Sequence, residues 1–163
     1  MVMEVSSQAL KYQRVENLPF DVACFLNIGR DHISPIEHPT FEDYFESKLR
    51  IFDQAKTAVV NLGTEEVDRV LGAASTAERL VTVGVEHPEA SLWASDVLMV
   101  GFSIEFNLHG LCADESEAGE KVLLGIAGDF NVENALVAIA AAREIGIGIE
   151  AIKKGLSKLR VPG

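Results

Sequence analysis

Lys48 has the most unusual setting in the sequence, because it lies in the middle of the apolar face of a predicted helix over 41–54. Helical periodicity places four aromatic residues on the same stripe: Phe41, Tyr44, Phe45 and Phe52. One interpretation is a lysine whose stem packs on this face while its ammonium reaches water. The other is a lysine whose amine is used, since burial favours the neutral amine. A neutral amine can combine with carbon dioxide to give a carbamate.

A carbamate would convert a cation into an anionic oxygen ligand, and oxygen ligands suit Mg²⁺. Asp31 and His32 follow the first predicted strand, and Glu4 follows the apolar residues that open the sequence. Ligands of open α/β sheets bind at the carboxyl ends of the strands. We therefore expect Glu4, His32 and the modified Lys48 to converge on one cation. His38 is a second candidate, although its place between Glu37 and Pro39 favours a role in loop rigidity.

The elements that must position these residues alternate along the first half of the chain. Three apolar, β-forming segments are predicted strands: 20–29, 57–63 and 79–85. Helices are predicted between them, over 41–54 with Thr40 as N-cap and Asp43 as its capping-box partner, and over 64–73 opened by Thr64. This alternation predicts an α/β fold, with a mostly parallel sheet flanked by helices.

The second half of the chain has a different pattern. Residues 91–110 predict two short strands around a turn at Gly101, an antiparallel pair at the edge of the sheet, and 120–128 predicts another strand. A helix that ends at Gly146 and a last amphipathic helix near the C-terminus follow. At the other end, residues 1–5 suggest the end of a strand, with Ser6 and Ser7 as helix-cap candidates.

Composition excludes several classes of protein. The formal charge of −11 and the pI near 4.7 argue against a nucleic-acid-binding surface, which needs clustered Lys and Arg. Cys24 and Cys112 match no metal or redox spacing, and Cys24 is expected in the core. Neither a signal peptide nor a membrane-spanning segment is visible in the sequence. A cytoplasmic protein without membrane or nucleic-acid partners is expected. His87 and His109 are expected to be exposed.

Five motifs in order carry a family resemblance that covers essentially the whole chain. They are "MEVSSQAL", "FDVACFLNIGRDHIS", "FEDYFESKLRIF", "GDFNVENALVAIAAA" and "KLRVPG". Together they resemble the central domain of Mur ligases, in particular the tripeptide-synthetase type. The resemblance implies an ATP-dependent ligase of peptidoglycan precursor synthesis, and hence a role in cell-wall formation, cell shape and cell division. Its implied cofactors are ATP and Mg²⁺, and its implied partners are a UDP-N-acetylmuramoyl-peptide and an amino acid.

The resemblance also implies residue roles. Glu4 resembles the carboxylate that serves the Mg²⁺ shared with the ATP phosphates, and His32 resembles the ligand of a second Mg²⁺. Lys48 resembles the carbamylated lysine that helps to hold this second ion. Four further positions resemble ligand contacts: Ser6 and Arg14 for the UDP-substrate, and Asn134 with the nearby Asn131 for adenine. Asn131 has a second interpretation as a helix N-cap.

The family implies acyl-phosphate chemistry, in which a substrate carboxylate attacks the ATP γ-phosphate and an amine then displaces phosphate. The sequence departs from the pattern at Gln8, where the family usually has His, and in the longer segment "SPIEHPT". It also contains no G-x-x-x-x-G-K-[ST] phosphate loop. We therefore expect 1–163 to be part of a Mur ligase central domain, without its N-terminal part and without the C-terminal domain. We expect the isolated chain to be inactive and to self-associate.

Other functions stay open at this point. The chain could be a non-catalytic remnant or binding module with the same fold. It could also be a related ligase such as folylpolyglutamate synthase. A metal-dependent hydrolase using Glu4, Asp31, His32 and His38 is the least supported alternative, because no HxH or HExxH spacing accompanies these residues.

Overall fold

The computed structural model of the protein describes residues 1–29, 33, 37–111 and 119–160. The six strands in this described part form one sheet, in the order in which they occur along the chain. They are β1 (Phe20–Phe25), β2 (Ala55–Asn61), β3 (Arg79–Val85), β4 (Leu92–Val100), β5 (Ser103–His109) and β6 (Glu120–Leu124). Asp31, His32, Cys112 and 161–163 lie outside the described residues.

Strands β1 to β4 run parallel, while β5 and β6 are antiparallel to their neighbours. The mostly parallel sheet with an antiparallel edge is therefore confirmed. The predicted pair around Gly101 is β4 and β5, and Gly101 has the positive φ of +63° that such a turn favours. This pair is not itself the edge, because β6 adds outside β5 and β4 stays parallel to β3.

Within these ranges five helices accompany the sheet: α1 (Ser7–Lys11), α2 (Phe41–Leu49), α3 (Val67–Ala74), α4 (Phe130–Glu144) and α5 (Ile149–Ser157). Buried side chains form two clusters, and adjacent residues of β2 point into different ones. Val59 belongs to the cluster with α4 and α5, whereas Val60 belongs to the cluster with α2 and α3. This alternation is the period of a strand, so the helices cover both faces of the sheet. In the described part of the chain, the helices are too short or too polar to cross a membrane.

Several predicted helix ends need correction. The helix predicted over 41–54 divides into α2 and a 3-10 turn over Arg50–Gln54. Thr64 does not open α3, which begins at Val67 after Glu66 adopts a left-handed φ of +54°. Thr64 instead lies buried in the turn after β2. For α4 the predicted terminal glycine is confirmed, because Gly146 follows the helix with φ +86°.

In the N-terminal segment, the predicted strand is absent but the predicted helix cap is present. Residues 1–5 form no strand, and Met1 and Val2 are fully exposed. The predicted strand end is therefore wrong: a strand needs a pairing partner, and among the described strands β1 pairs with β2 alone. The predicted cap at Ser6 is confirmed, since its Oγ accepts a hydrogen bond from the backbone N–H of Ala9 at 3.1 Å.

Candidate functional site

Lys48 lies near the end of α2 and points to the carboxyl end of β1. Its Nζ donates to the carbonyl oxygen of Asn27 at 3.3 Å and lies 5.2 Å from the ring centre of Tyr44 and 5.6 Å from that of Phe25. The side chain is half-buried, between the buried Tyr44 and the solvent. Within the described residues no carboxylate contacts this amine, so its contacts are one carbonyl oxygen and two aromatic faces.

The carboxyl end of β2 carries a buried asparagine that sequence reasoning missed. Asn61 is 1% exposed, and its Nδ2 donates to the carbonyl oxygen of Leu26 and to Oε2 of Glu133, both at 3.0 Å. Its Oδ1 accepts from the backbone N–H of Gly63 at 3.1 Å. The amide thus ties the end of β1, the end of β2 and the first turn of α4 together. The rule that ligands bind at strand ends could have identified Asn61, which is the last residue of its strand.

The two residues predicted to contact adenine lie at the start of α4. Asn131 and Asn134 are one turn apart and half-buried. The Nδ2 of Asn131 donates to the carbonyl oxygen of Ala127 at 2.6 Å, and its side chain does not cap the helix. The N-cap interpretation of Asn131 is therefore wrong, since the residue at that position is Asp129. Among the described residues, no hydrogen bond occupies the side-chain amide of Asn134.

The predicted substrate-side residues flank α1. Ser6 is the N-cap described above, and Arg14 lies three residues beyond the last residue of the helix. Arg14 is exposed, with its guanidinium carbon 5.6 Å from the ring centre of Tyr12. Glu4 is also exposed, at the end of the segment that precedes Ser6. Glu4 and Ser6 thus lie before α1, and Arg14 lies after it.

A polar network joins α1 to the start of α2. His38, only 1% exposed, contacts Asp43 Oδ2 through Nδ1 at 2.6 Å and Ser7 Oγ through Nε2 at 2.9 Å. Lys11 Nζ donates to the same Asp43 oxygen at 2.6 Å. Hydrogen bonds from Lys11 and then from His38 hold the pKa of the Asp43 carboxyl below its usual value of 3.8. Thr40 caps α2 as predicted. The side chain of Asp43, its predicted capping-box partner, instead contacts Lys11 and His38.

The network bears on the predicted histidine roles. Because both ring nitrogens of His38 have protein partners, this residue has no free nitrogen for a metal, which removes one ligand from the hydrolase alternative. The prediction that His109 is exposed is wrong: it is 6% exposed and stacks on Trp93 with ring centres 4.0 Å apart. Across the described ranges, no three His, Cys, Asp or Glu side chains form a ready metal site. His32 and Asp31, the predicted partners of Lys48, lie outside these ranges.

Comparison with known proteins adds an independent observation. The family model described as the Mur ligase middle domain matches residues 1–142. Over 163 residues the chain is 37% identical to the UDP-N-acetylmuramoyl-L-alanyl-D-glutamate–L-lysine ligase of Streptococcus sanguinis, covering the whole chain and 31% of that protein. It is 41% identical over 158 residues to the UDP-N-acetylmuramyl-tripeptide synthetase of Bifidobacterium longum, covering 92% of this chain and 29% of that protein.

A solved structure supports the same grouping. The fold matches that of a UDP-N-acetylmuramoyl-L-alanyl-D-glutamate–2,6-diaminopimelate ligase with a TM-score of 0.83 at 29% identity. The match covers 98% of this chain and 32% of that one, so the chain spans about a third of the proteins it resembles. The chain belongs to the Mur ligase family, and its match lies in the family's middle domain.

Proposed function

We propose that this chain forms part of the central domain of an ATP-dependent ligase that adds an amino acid to a UDP-N-acetylmuramoyl-peptide in peptidoglycan precursor synthesis. Membership of the family supports this proposal. The observation that carries it is the position of Lys48, whose amine is held at the carboxyl end of β1. This is the edge at which open α/β sheets bind their ligands. Such a reaction belongs to the cytoplasm and serves cell-wall synthesis, and thereby cell shape and division.

The proposed reaction has two steps. The carboxylate of the UDP-linked substrate attacks the γ-phosphorus of ATP, which releases ADP and gives an acyl phosphate. The amine of the incoming amino acid then attacks the acyl carbon through a tetrahedral intermediate, and phosphate leaves. Both steps bring anionic oxygens together, so positioning and charge neutralisation are the main tasks of the protein.

Lys48 fits the role of a lysine converted to a carbamate. Its side chain is half-buried, and among the described residues its amine contacts one carbonyl oxygen and two aromatic rings but no carboxylate. Carbamate and carboxylate oxygens are hard ligands suited to Mg²⁺, so Lys48, Glu4 and His32 are proposed to hold Mg²⁺ at this edge. Bound there, Mg²⁺ would neutralise charge between the phosphates and the substrate carboxylate. The competing interpretation, a lysine that only packs its stem, requires no carbon dioxide.

Ser6 and Arg14 are proposed to contact the UDP-substrate. A guanidinium binds phosphate or carboxylate through paired donors, and Arg14 is exposed, with its guanidinium carbon 5.6 Å from the ring centre of Tyr12. Asn134, whose side-chain amide has no hydrogen-bond partner among the described residues, is proposed to pair with the edge of adenine, which presents one donor and one acceptor. Asn131 supports the same end of α4 through its bond to Ala127.

The added amino acid is not fixed by these residues. The relatives named above act, by their names, as an L-lysine ligase and as a tripeptide synthetase. We propose the tripeptide-synthetase type, with amino-acid selection made elsewhere in the intact protein. The second candidate is a non-catalytic module with the same fold.

A hybrid ligase tests the proposal. Residues 1–163 replace the aligned segment of the Streptococcus sanguinis ligase, which supplies the remaining two thirds of the protein. We expect lysine addition to the UDP-linked dipeptide that depends on ATP, Mg²⁺ and bicarbonate. The chain alone is the negative control, since it lacks a phosphate loop. A hybrid with the parent's circular dichroism and elution volume but without ligation would favour the non-catalytic candidate.

A further inference from the structure

Helix α1 is held by few apolar contacts. It has five residues, of which only Leu10 is buried. Isolated helices shorter than about 12–15 residues are marginal in water, so tertiary contacts must hold this one. Ser6 caps its start and Arg14 follows its end. The positions of both residues therefore depend on whatever fixes α1.

His38 provides that connection. Its ring is almost fully buried, with Ser7 at the start of α1 on one nitrogen and Asp43 of α2 on the other. The ring also lies 5.2 Å from that of Tyr44 in α2, at an interplanar angle of 56°. One side chain thus joins two helices that are distant in sequence, and Lys11 adds a second link through Asp43.

For a neutral His38 ring, the chemistry of the partners fixes the direction of both hydrogen bonds. An ionised carboxylate only accepts hydrogen bonds, so the hydrogen of a neutral His38 ring lies on Nδ1, toward Asp43. Nε2 of that ring is then an acceptor, and the hydroxyl of Ser7 must donate to it. Removing the Ser7 hydroxyl would leave a buried ring nitrogen without a partner, which is costly.

We propose that His38 is a positioning residue, which locks α1 against α2 through these two directed hydrogen bonds and thereby places Ser6 and Arg14 for the UDP-substrate. The second half of this statement rests on the proposed function, whereas the lock itself does not. Nothing in the proposed chemistry requires Ser7 to react. The same three residue types form the triad of serine hydrolases, and labelling of Ser7 by a fluorophosphonate would overturn the positioning role.

The tautomer of His38 is the first readout. We expect two-bond nitrogen–proton spectra of the ¹⁵N-histidine-labelled chain to show an Nδ1–H tautomer for one of its four histidines. The variant H38N removes this signal and identifies it. A His38 ring that carries a hydrogen on Nε2, alone or together with one on Nδ1, or that exchanges rapidly between tautomers, would contradict the proposed pair of directed bonds.

Amide exchange of α1 is the second readout. The amides of Leu10, Tyr12 and Arg14 bond to carbonyls within this segment. In S7A we expect their exchange to accelerate about tenfold relative to the wild type, which corresponds to one buried hydrogen bond. S7T keeps the hydroxyl and should restore the protection. S47A is the control for loss of a serine hydroxyl, because Ser47 is itself buried but bonds within α2.

The two parts of the proposal fail separately. Unchanged α1 exchange in S7A would overturn the lock and leave the proposed ligase function untouched. In the hybrid ligase, S7A should raise KM for the UDP-linked substrate about tenfold with kcat retained. If the lock holds but S7A leaves this KM unchanged, the substrate assignment of Ser6 and Arg14 is wrong. If the hybrid is inactive while the lock holds in the chain, the proposed function fails and the lock stands.

Discussion

The Nζ of Lys48 lies 3.3 Å from the carbonyl oxygen of Asn27, two residues past the last residue of β1. The neighbouring carbonyl, that of Leu26, accepts from Asn61, which in turn donates to Glu133 in the first turn of α4. The backbone carbonyls of Leu26 and Asn27, both just after β1, therefore link Lys48 through Asn61 to the start of α4. This connection places the proposed carbamate and the proposed nucleotide residues at the same edge of the sheet.

The first prediction concerns the carbamate itself. With ¹³C-bicarbonate, the chain should give a carbamate carbon signal in NMR that disappears in K48R, because arginine cannot form this adduct under the same conditions. K56R is the matched control: Lys56 is exposed and paired with Asp21, so its replacement should leave the signal. A signal that is absent from the wild type, or that persists in K48R, would count against the proposed role of Lys48.

The second prediction concerns Asn61. N61A should lower the free energy of unfolding by about 1–3 kcal/mol, since it leaves a carbonyl and a carboxylate at the strand ends without their donor. Urea unfolding followed by circular dichroism measures this loss. N107A is the comparison, because Asn107 bonds to Asp96 at an exposed position and should cost about 0.5 kcal/mol or less. Equal losses of unfolding free energy in the two variants would contradict a larger contribution from the buried Asn61 link.

The third prediction is a pH dependence. Because the folded-state pKa of Asp43 lies below its usual value of 3.8, this group stabilises the protein above the unfolded-state pKa. That stabilisation is lost as pH falls through the folded-state pKa. Unfolding free energies measured from pH 6 to pH 2 should therefore fall less steeply in D43N than in the wild type. D21N tests specificity, since the Asp21–Lys56 pair is largely exposed and should contribute little. Identical slopes in D43N and the wild type would refute this account of the network.

The fourth prediction concerns Cys24. Burial raises the pKa of its thiol to about 11 from 9.0, so its thiolate fraction at neutral pH is about a hundredfold lower than usual. In the variant C112S, Cys24 should react slowly with a disulfide reagent in the folded chain and rapidly in urea. Fast modification of the folded chain would show that β1 is more open than the structure indicates.

The fifth prediction is self-association, which the sequence also led us to expect. The hairpin between β4 and β5 exposes Leu98, Met99, Val100 and Phe102, with Phe102 91% exposed. An apolar patch of this kind promotes association. Light scattering should show a mass that rises with concentration and falls toward the monomer in L98S/F102S. I145S replaces an exposed apolar residue outside this hairpin and should have no such effect. A wild type that remains a monomer would refute the prediction.

Much of the fold was predictable because its signals are local. Apolar runs identified the strands, and Gly101 and Gly146 marked a turn and a helix end that both require positive φ. The error at Thr64 arose because a good capping residue can also lie buried in the turn that follows a strand. The strand expected at residues 1–5 failed because pairing depends on a neighbour that local pattern does not reveal.

The candidate site was predictable only in part. Lys48 was identified by a local conflict, a charged residue on an apolar stripe, and the structure places it at a strand end. Asn61 and Glu133 are joined across 72 residues of sequence, and no local pattern indicates that contact. His38 was treated as a loop residue, but its partners Ser7 and Asp43 are brought to it by the packing of α1 on α2.

The most direct test of the central claim is the rate of ATP-dependent lysine addition, measured for the hybrid ligase and for its K48R variant. The account predicts measurable ligation with Lys48, stimulated by bicarbonate, and a loss of at least about a hundredfold in K48R, as expected when charge stabilisation in the transition state is removed. Equal rates for the two proteins, or no ligation by a hybrid that folds like its parent, would contradict it.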